Sequence, residues 1–171
     1  ELMEGVEDIP GTALSEGLTW GWESFPEYME TLDRKPHTID FLAMVPHDAL
    51  RVYVMGERAT ADVQAGDDDI ATMRALLRAA LDAGAVGFST GRSDNHRSVH
   101  GEATPASEAA GRELAGIAAA FHGLNHGVVQ AVNDFDILNG DGHFEREFAI
   151  LEELLVGAGG RPMSISTMQR D

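Results

Sequence analysis

Four short runs rich in Val, Ile, Phe and small residues alternate along this chain with longer segments of helical period. The runs are Ile39–Val45, Ala85–Ser89, Val128–Val132 and Met163–Ser166. Each is nearly continuous in apolar or small residues. That pattern belongs to strands covered on both faces, and hence to parallel strands. Strand–helix–strand units of this spacing demand right-handed crossovers. The order helix, β, helix, β, helix, β, helix, β therefore predicts an α/β fold of about four parallel strands with intervening helices. Four such strands suit either an open doubly wound sheet or half of an eight-stranded barrel. A whole barrel needs at least ~200 residues, and the chain has 171.

The helices carry clearer signals. In Asp67–Ala83, Ile70, Met73, Leu76, Leu77, Ala80 and Leu81 recur at steps of three and four. Asp67, Asp68 and Asp69 favour its N-terminal end, and Gly84 can stop it. Thr104 followed by Pro105 predicts an N-cap and first turn, ahead of a stripe of Leu114, Ile117, Ala118 and Phe121. Phe144–Val156 places Phe144, Phe148, Leu151 and Leu155 in register. Ser24 and Glu27 have the spacing of a capping box. Two long polar connections, 55–66 and 91–103, are of the length that usually carries function.

Composition narrows the class. With 12 basic against 29 acidic residues, the net charge is −17. So acidic a surface repels phosphate backbones and anionic membranes, so neither nucleic acid nor a membrane is expected as a partner. There is no cysteine, which removes disulfides and thiolate chemistry and suits the cytoplasm. No apolar run approaches a bilayer span, and no signal peptide is visible. The chain opens at Glu1 and runs straight into Leu2-Met3-Glu4; the expectation is a single segment, 1–171, cut from a longer protein.

In parallel α/β folds, ligands lie beyond the carboxyl ends of the strands. After the first strand stand His47, Asp48 and Arg51. After the second come Ser89, Thr90, Gly91 and Arg92, then a loop with Asp94, His96, Arg97, His100 and Glu102. Asn133, Asp134 and Asp136 follow the third, and Thr167 and Gln169 the fourth. His96 and His100, four apart, with Asp94 and Glu102 have metal-ligand chemistry; a solvated loop explains them too. Arg92 is a candidate clamp for a substrate carboxylate. His47 is either an acid–base group or the cap of a turn starting at Asp48. Ser89-Thr90-Gly91 reads either as a small anion cradle or as a tight turn. The expected pocket residues are His47, Ser89, Arg92, His96 and Asn133.

At these residues the chain resembles a known family. Val45-Pro46-His47-Asp48-Ala49-Leu50-Arg51-Val52-Tyr53-Val54-Met55-Gly56 is similar to the "GH-x-x-LR-x-x-VMG" stretch of the N-acyl-D-amino-acid deacylases. Met73–Leu77 and Ala80–Gly91 are similar to that family's "EAL-x-AGALGFSTGL". The resemblance implies a central fragment of an amidohydrolase on a (β/α)8 TIM barrel, about three times this length, acting with zinc on a small-molecule amide. Two departures stand out. The family's "THMR" is replaced by Gln130-Ala131-Val132-Asn133, and its "ISH" by Ile165-Ser166-Thr167, so neither expected histidine is present. No metal ligand is therefore carried over to this segment. The Tyr-x-Pro-Gly loop that follows "STGL" is likewise replaced, by Arg92-Ser93-Asp94-Asn95-His96.

These readings lead to part of an amidohydrolase that cuts the C–N bond of N-acyl-D-amino acids or a related small amide, silent as a fragment. The alternative is a non-catalytic binding or assembly domain on a degenerate amidohydrolase scaffold. An open flavodoxin-like domain ranks last, for want of a Gly-rich phosphate turn. Half a barrel leaves two open strand edges to be covered by another copy, by strand exchange or by loops, which predicts a homo-oligomer or a proteolytic fragment; the remainder of the parent chain is a further expected partner.

Overall fold

A computed structural model describes residues 2–7, 9–93, 95–135 and 142–167. Three helices come first: α1 (Leu2–Glu7), α2 (Gly11–Gly17) and α3 (Phe25–Asp33). They are followed by β1 (Met44–Pro46), α4 (His47–Met55), α5 (Asp67–Asp82), β2 (Gly87–Arg92), α6 (Gly111–Ala118), β3 (Val128–Asn133), α7 (His143–Gly157) and β4 (Met163–Ser166). All strand pairs are parallel, and the sheet order is β1-β2-β3-β4. Strands laid down in chain order, each by the same crossover, put α5, α6 and α7 side by side on one face. This is the singly wound arrangement of a TIM barrel, cut to four strands; a doubly wound sheet would reverse its order partway.

Helix formation follows the local chemistry. At α3, the Glu27 amide donates to Ser24 Oγ (3.4 Å), while Glu27 Oε2 accepts from the Ser24 amide (2.9 Å). Helix α5 buries Ile70, Met73, Leu77, Ala80 and Leu81, the stripe read from its period. Its chain then turns at Gly84, whose φ of 106° strains any side-chain-bearing residue. Together with Val45, Phe88, Val129 and Ala131 from the strands, and Leu114, Ile117, Leu151 and Leu154 from α6 and α7, these residues form one continuous core.

Three local expectations are corrected. The first apolar run does not pair from Ile39; pairing starts at Met44, opposite Gly87. Ile39 and Leu42 are 74% and 80% exposed, because β1 is an edge strand whose neighbour begins only there. Thr104 does not cap α6. Residues 104–107 form a turn in which Ser107 Oγ donates to the Thr104 carbonyl (2.8 Å) and Asp48 Oδ1 accepts the Ala106 amide (2.8 Å). Helix α6 starts only at Gly111. Finally, Ser89-Thr90-Gly91 is neither cradle nor turn: β2 runs on to Arg92, paired throughout with β3.

The sheet has two unlike faces. Phe88, Thr90 and Arg92 of β2 and Val129, Ala131 and Asn133 of β3 are buried beneath the helices. The alternate residues face the open side. There, register places Pro46, Ser89, Gln130 and Ser164 in one row across the four strands, and Gly91, Val132 and Ser166 in the next. At Gly87 an added Cβ would lie 2.0 Å from the Val128 carbonyl oxygen, so this close strand approach admits only glycine.

Candidate functional site

Three of the five expected pocket residues meet at the carboxyl ends of β2 and β3. Arg92, His96 and Asn133 line a cavity of about 150 Å³, with Asp134, His143 and Glu147. Arg92 is a carboxylate clamp, but the carboxylate belongs to the chain itself. Its Nε donates to Glu147 Oε2 (2.7 Å) and its Nη2 to Oε1 (2.9 Å). Nη1 donates to the Ala109 carbonyl (2.7 Å), tying β2 to the loop before α6. Asn133 Nδ2 adds a third hydrogen bond to Glu147 Oε2 (2.9 Å). Burial raises the Glu147 pKa, yet the hydrogen bonds and charge of Arg92, with help from Asn133 and His143, hold it below the ordinary glutamate value. His96 lies exposed on the loop.

His47 lies apart, fully buried under β2. Its Nδ1 meets Thr90 Oγ1 at 3.0 Å, and its Nε2 donates to Glu113 Oε1 at 3.0 Å. It is the first residue of α4 and caps nothing with its side chain. Beside it, Arg51 is wholly buried and spends all five N–H groups. Nε and Nη2 donate to Glu113 (2.7 and 3.4 Å), Nη1 to the carbonyls of Thr60 and Pro105, and Nη2 also to that of Val63. Burial raises the Glu113 pKa, but the hydrogen bonds from His47 and Arg51 outweigh it and leave the carboxyl below its ordinary value. This network fastens the 55–66 connection and the turn at Pro105 to the strand ends. Its anchor, Glu113, carried no sequence signal, because it lies 62 residues from Arg51 on a helix whose apolar stripe looked complete.

Ser89 stands on the other face, half-buried, in the open row with Gln130 and Ser164. The structure thus divides the expected residues among a rim cavity, a buried network and the open face. Asp94, Asp136 and Gln169 lie outside the described residues. His100 and Glu102 are exposed, and Ser98 Oγ donates to Glu102 Oε2 (3.3 Å). Among the described residues no helix is long and apolar enough to cross a membrane.

No protein-family model matches the chain. It is 38% identical over 90 residues to a D-aminoacylase of Alcaligenes xylosoxydans xylosoxydans, an alignment covering 53% of this chain and 18% of that protein. It is 41% identical over 68 residues to an N-acyl-D-aspartate deacylase of the same organism, covering 40% and 13%. The chain thus spans less than a fifth of these curated relatives. A solved D-aminoacylase, reported to define a novel subset of amidohydrolases, superposes with a TM-score of 0.59 at 27% identity. The match covers 85% of this chain and 27% of that one. A D-aminoacylase mutant in complex with CuCl2 gives 0.60 at the same identity and coverage. A structure concerned with the binuclear metal centre of D-aminoacylase, at 22% identity and 0.58, shows the fold alone. The resemblance to the N-acyl-D-amino-acid deacylases therefore holds, over part of their length.

The metal that such relatives bind finds no matching donors among the described residues. Among the described residues no three His, Cys, Asp or Glu side chains come together as a metal site. The open face of β1–β4 presents Pro, Ser, Gln, Gly and Val where a divalent ion would need imidazole or carboxylate.

Proposed function

We propose that this relative of the D-aminoacylases forms four consecutive β/α units, residues 1–171, of a longer barrel that hydrolyses the amide bond of N-acyl-D-amino acids or a related small amide. The observation that carries the reading is the unbroken chain-order parallel sheet, both of whose outer edges are unpaired among the described residues, superposable on solved D-aminoacylases. An apolar groove of about 610 Å³ beside β1, walled by Trp22, Phe25, Tyr28, Phe41 and Tyr53, supports the presence of further chain packed there. In this reading the substrate lies over the carboxyl ends of the strands. Ser89 faces it from the barrel interior, and His96 reaches over it from the rim. Arg92, Asn133 and His47 fix the geometry of that rim from behind. The bond-cutting groups, and any zinc with its ligands, come from the strands beyond these four, and the cytoplasm suits so acidic, cysteine-free a chain.

The test is a survey of the full-length protein, supplied with zinc, against N-acetyl-D-amino acids with their L enantiomers as controls. Release of free D-amino acid, absent from the 171-residue segment alone, is the expected result. A folded full-length protein that releases none would overturn the reading in favour of a non-catalytic scaffold.

A further inference from the structure

We infer that the open face of β1–β4 contributes no metal ligand and instead grips the amide group of the substrate through a row of neutral side chains, Ser89, Gln130 and Ser164. The inference rests on the amide-hydrolysing reading above. Relatives of this fold carry metal, whereas here His47, Glu113 and Glu147 are turned from the open face and occupied. His47 and Glu113 are locked together under β2, and Glu147 is held by Arg92 and Asn133.

The row is set by backbone register. Ser89 pairs with Gln130, and Gln130 with Ser164, so adjacent members stand about 4.8 Å apart on one face. None of the three side chains is engaged by another described residue. Toward the strand tips Gly91 leaves room: a Cβ added there would meet nothing within 4 Å. A carboxamide offers one acceptor and two donors in a plane. Gln130 can therefore accept from a substrate N–H through its carbonyl oxygen, while the substrate C=O, which points the opposite way in a trans amide, accepts from a neighbouring hydroxyl. The flanking hydroxyls of Ser89 and Ser164 can serve either partner. The row holds no counter-ion, so it suits the neutral amide group of the substrate and leaves the substrate carboxylate to lie elsewhere.

Gln130→Met in the full-length protein is the test, with N-acetyl-D-leucine as the probe beside its ester analogue, in which oxygen replaces the amide N–H. Binding is followed by calorimetry and metal content by elemental analysis. Wild type should prefer the amide. Gln130→Met should weaken amide binding about tenfold and abolish that preference, with the metal content unchanged. Ser89→Ala should weaken it about threefold. No binding by wild type, equal binding by Gln130→Met, or loss of metal from that variant each overturns the inference. Binding that depends on Gln130 in a protein without hydrolytic activity would sink the proposed function and leave the row standing. Hydrolysis with an unchanged KM in Gln130→Met would do the reverse.

Discussion

Arg92 holds Glu147 by two parallel hydrogen bonds, 2.7 and 2.9 Å long, across the space between the end of β2 and the first turns of α7. Both side chains are almost wholly shielded from water, so each charge relies on the other for its neutralisation. Removing one partner strands the other. Arg92→Ala should therefore cost about 3 kcal/mol in urea denaturation. The double variant Arg92→Leu with Glu147→Leu, which removes both charges and keeps apolar volume, should recover most of that loss. A double variant no more stable than Arg92→Ala would show that the pair is not the source of the cost.

Glu113 is the single carboxylate that serves both His47 and Arg51. Glu113→Ala leaves a buried guanidinium without its counter-ion and should cost about 3–5 kcal/mol. The isosteric Glu113→Gln should cost less than half of that. Because Arg51 also binds the carbonyls of Thr60, Val63 and Pro105, both variants should loosen the connections around 56–66 and 103–110. Hydrogen exchange at the amides of those two segments measures this; protection equal to wild type would contradict it.

Acid should unfold the protein through the same two carboxylates. Glu113 and Glu147 are both held below their ordinary values when folded. The folded state therefore binds protons less readily than the unfolded one. Their contribution is complete above the ordinary glutamate range and is lost as pH falls through it toward the lowered folded values. Stability measured from neutral pH downward should drop through that window. In the double variant Glu113→Gln with Glu147→Gln the drop should be visibly shallower, while wild type and variant run parallel above it.

Two glycines on the open face of one strand should respond in opposite ways. Gly87→Ala forces a Cβ against the Val128 carbonyl oxygen and Met44 Cε, separating β1, β2 and β3 where they meet; the expected outcome is a loss of several kcal/mol or no folded protein. Gly91→Ala, two residues on, enters empty space and should stay within about 1 kcal/mol of wild type. Equal urea midpoints for the two variants would contradict the strand packing described.

Much of the architecture was legible in the sequence. The near-continuous apolar runs at 128–132 and 163–166 became β3 and β4 within a residue, and the stripe of α5 lies where its period put it. Parallel strands covered by helices leave that signature because both requirements, strand burial and helix amphipathicity, act locally. The boundaries of β1 and α6 did not, because an edge strand pairs only where its neighbour begins, and because Asp48 and Arg51 hold the Thr104 turn from elsewhere in the chain.

The kinds of chemistry available were likewise determined by sequence alone: no thiol, an acidic surface, and neutral residues where relatives are expected to carry histidine. Tertiary structure decided which of those groups meets what. Side chains alternate between the faces of a strand, so one step of register separates Arg92, buried against Glu147, from Gly91, open to solvent. Glu113 and Glu147 come from helices that only the crossovers bring over the strand ends. Their partnerships with His47, Arg51, Arg92 and Asn133 exist because buried charges must be neutralised, and which charges are buried is known only once the sheet is covered.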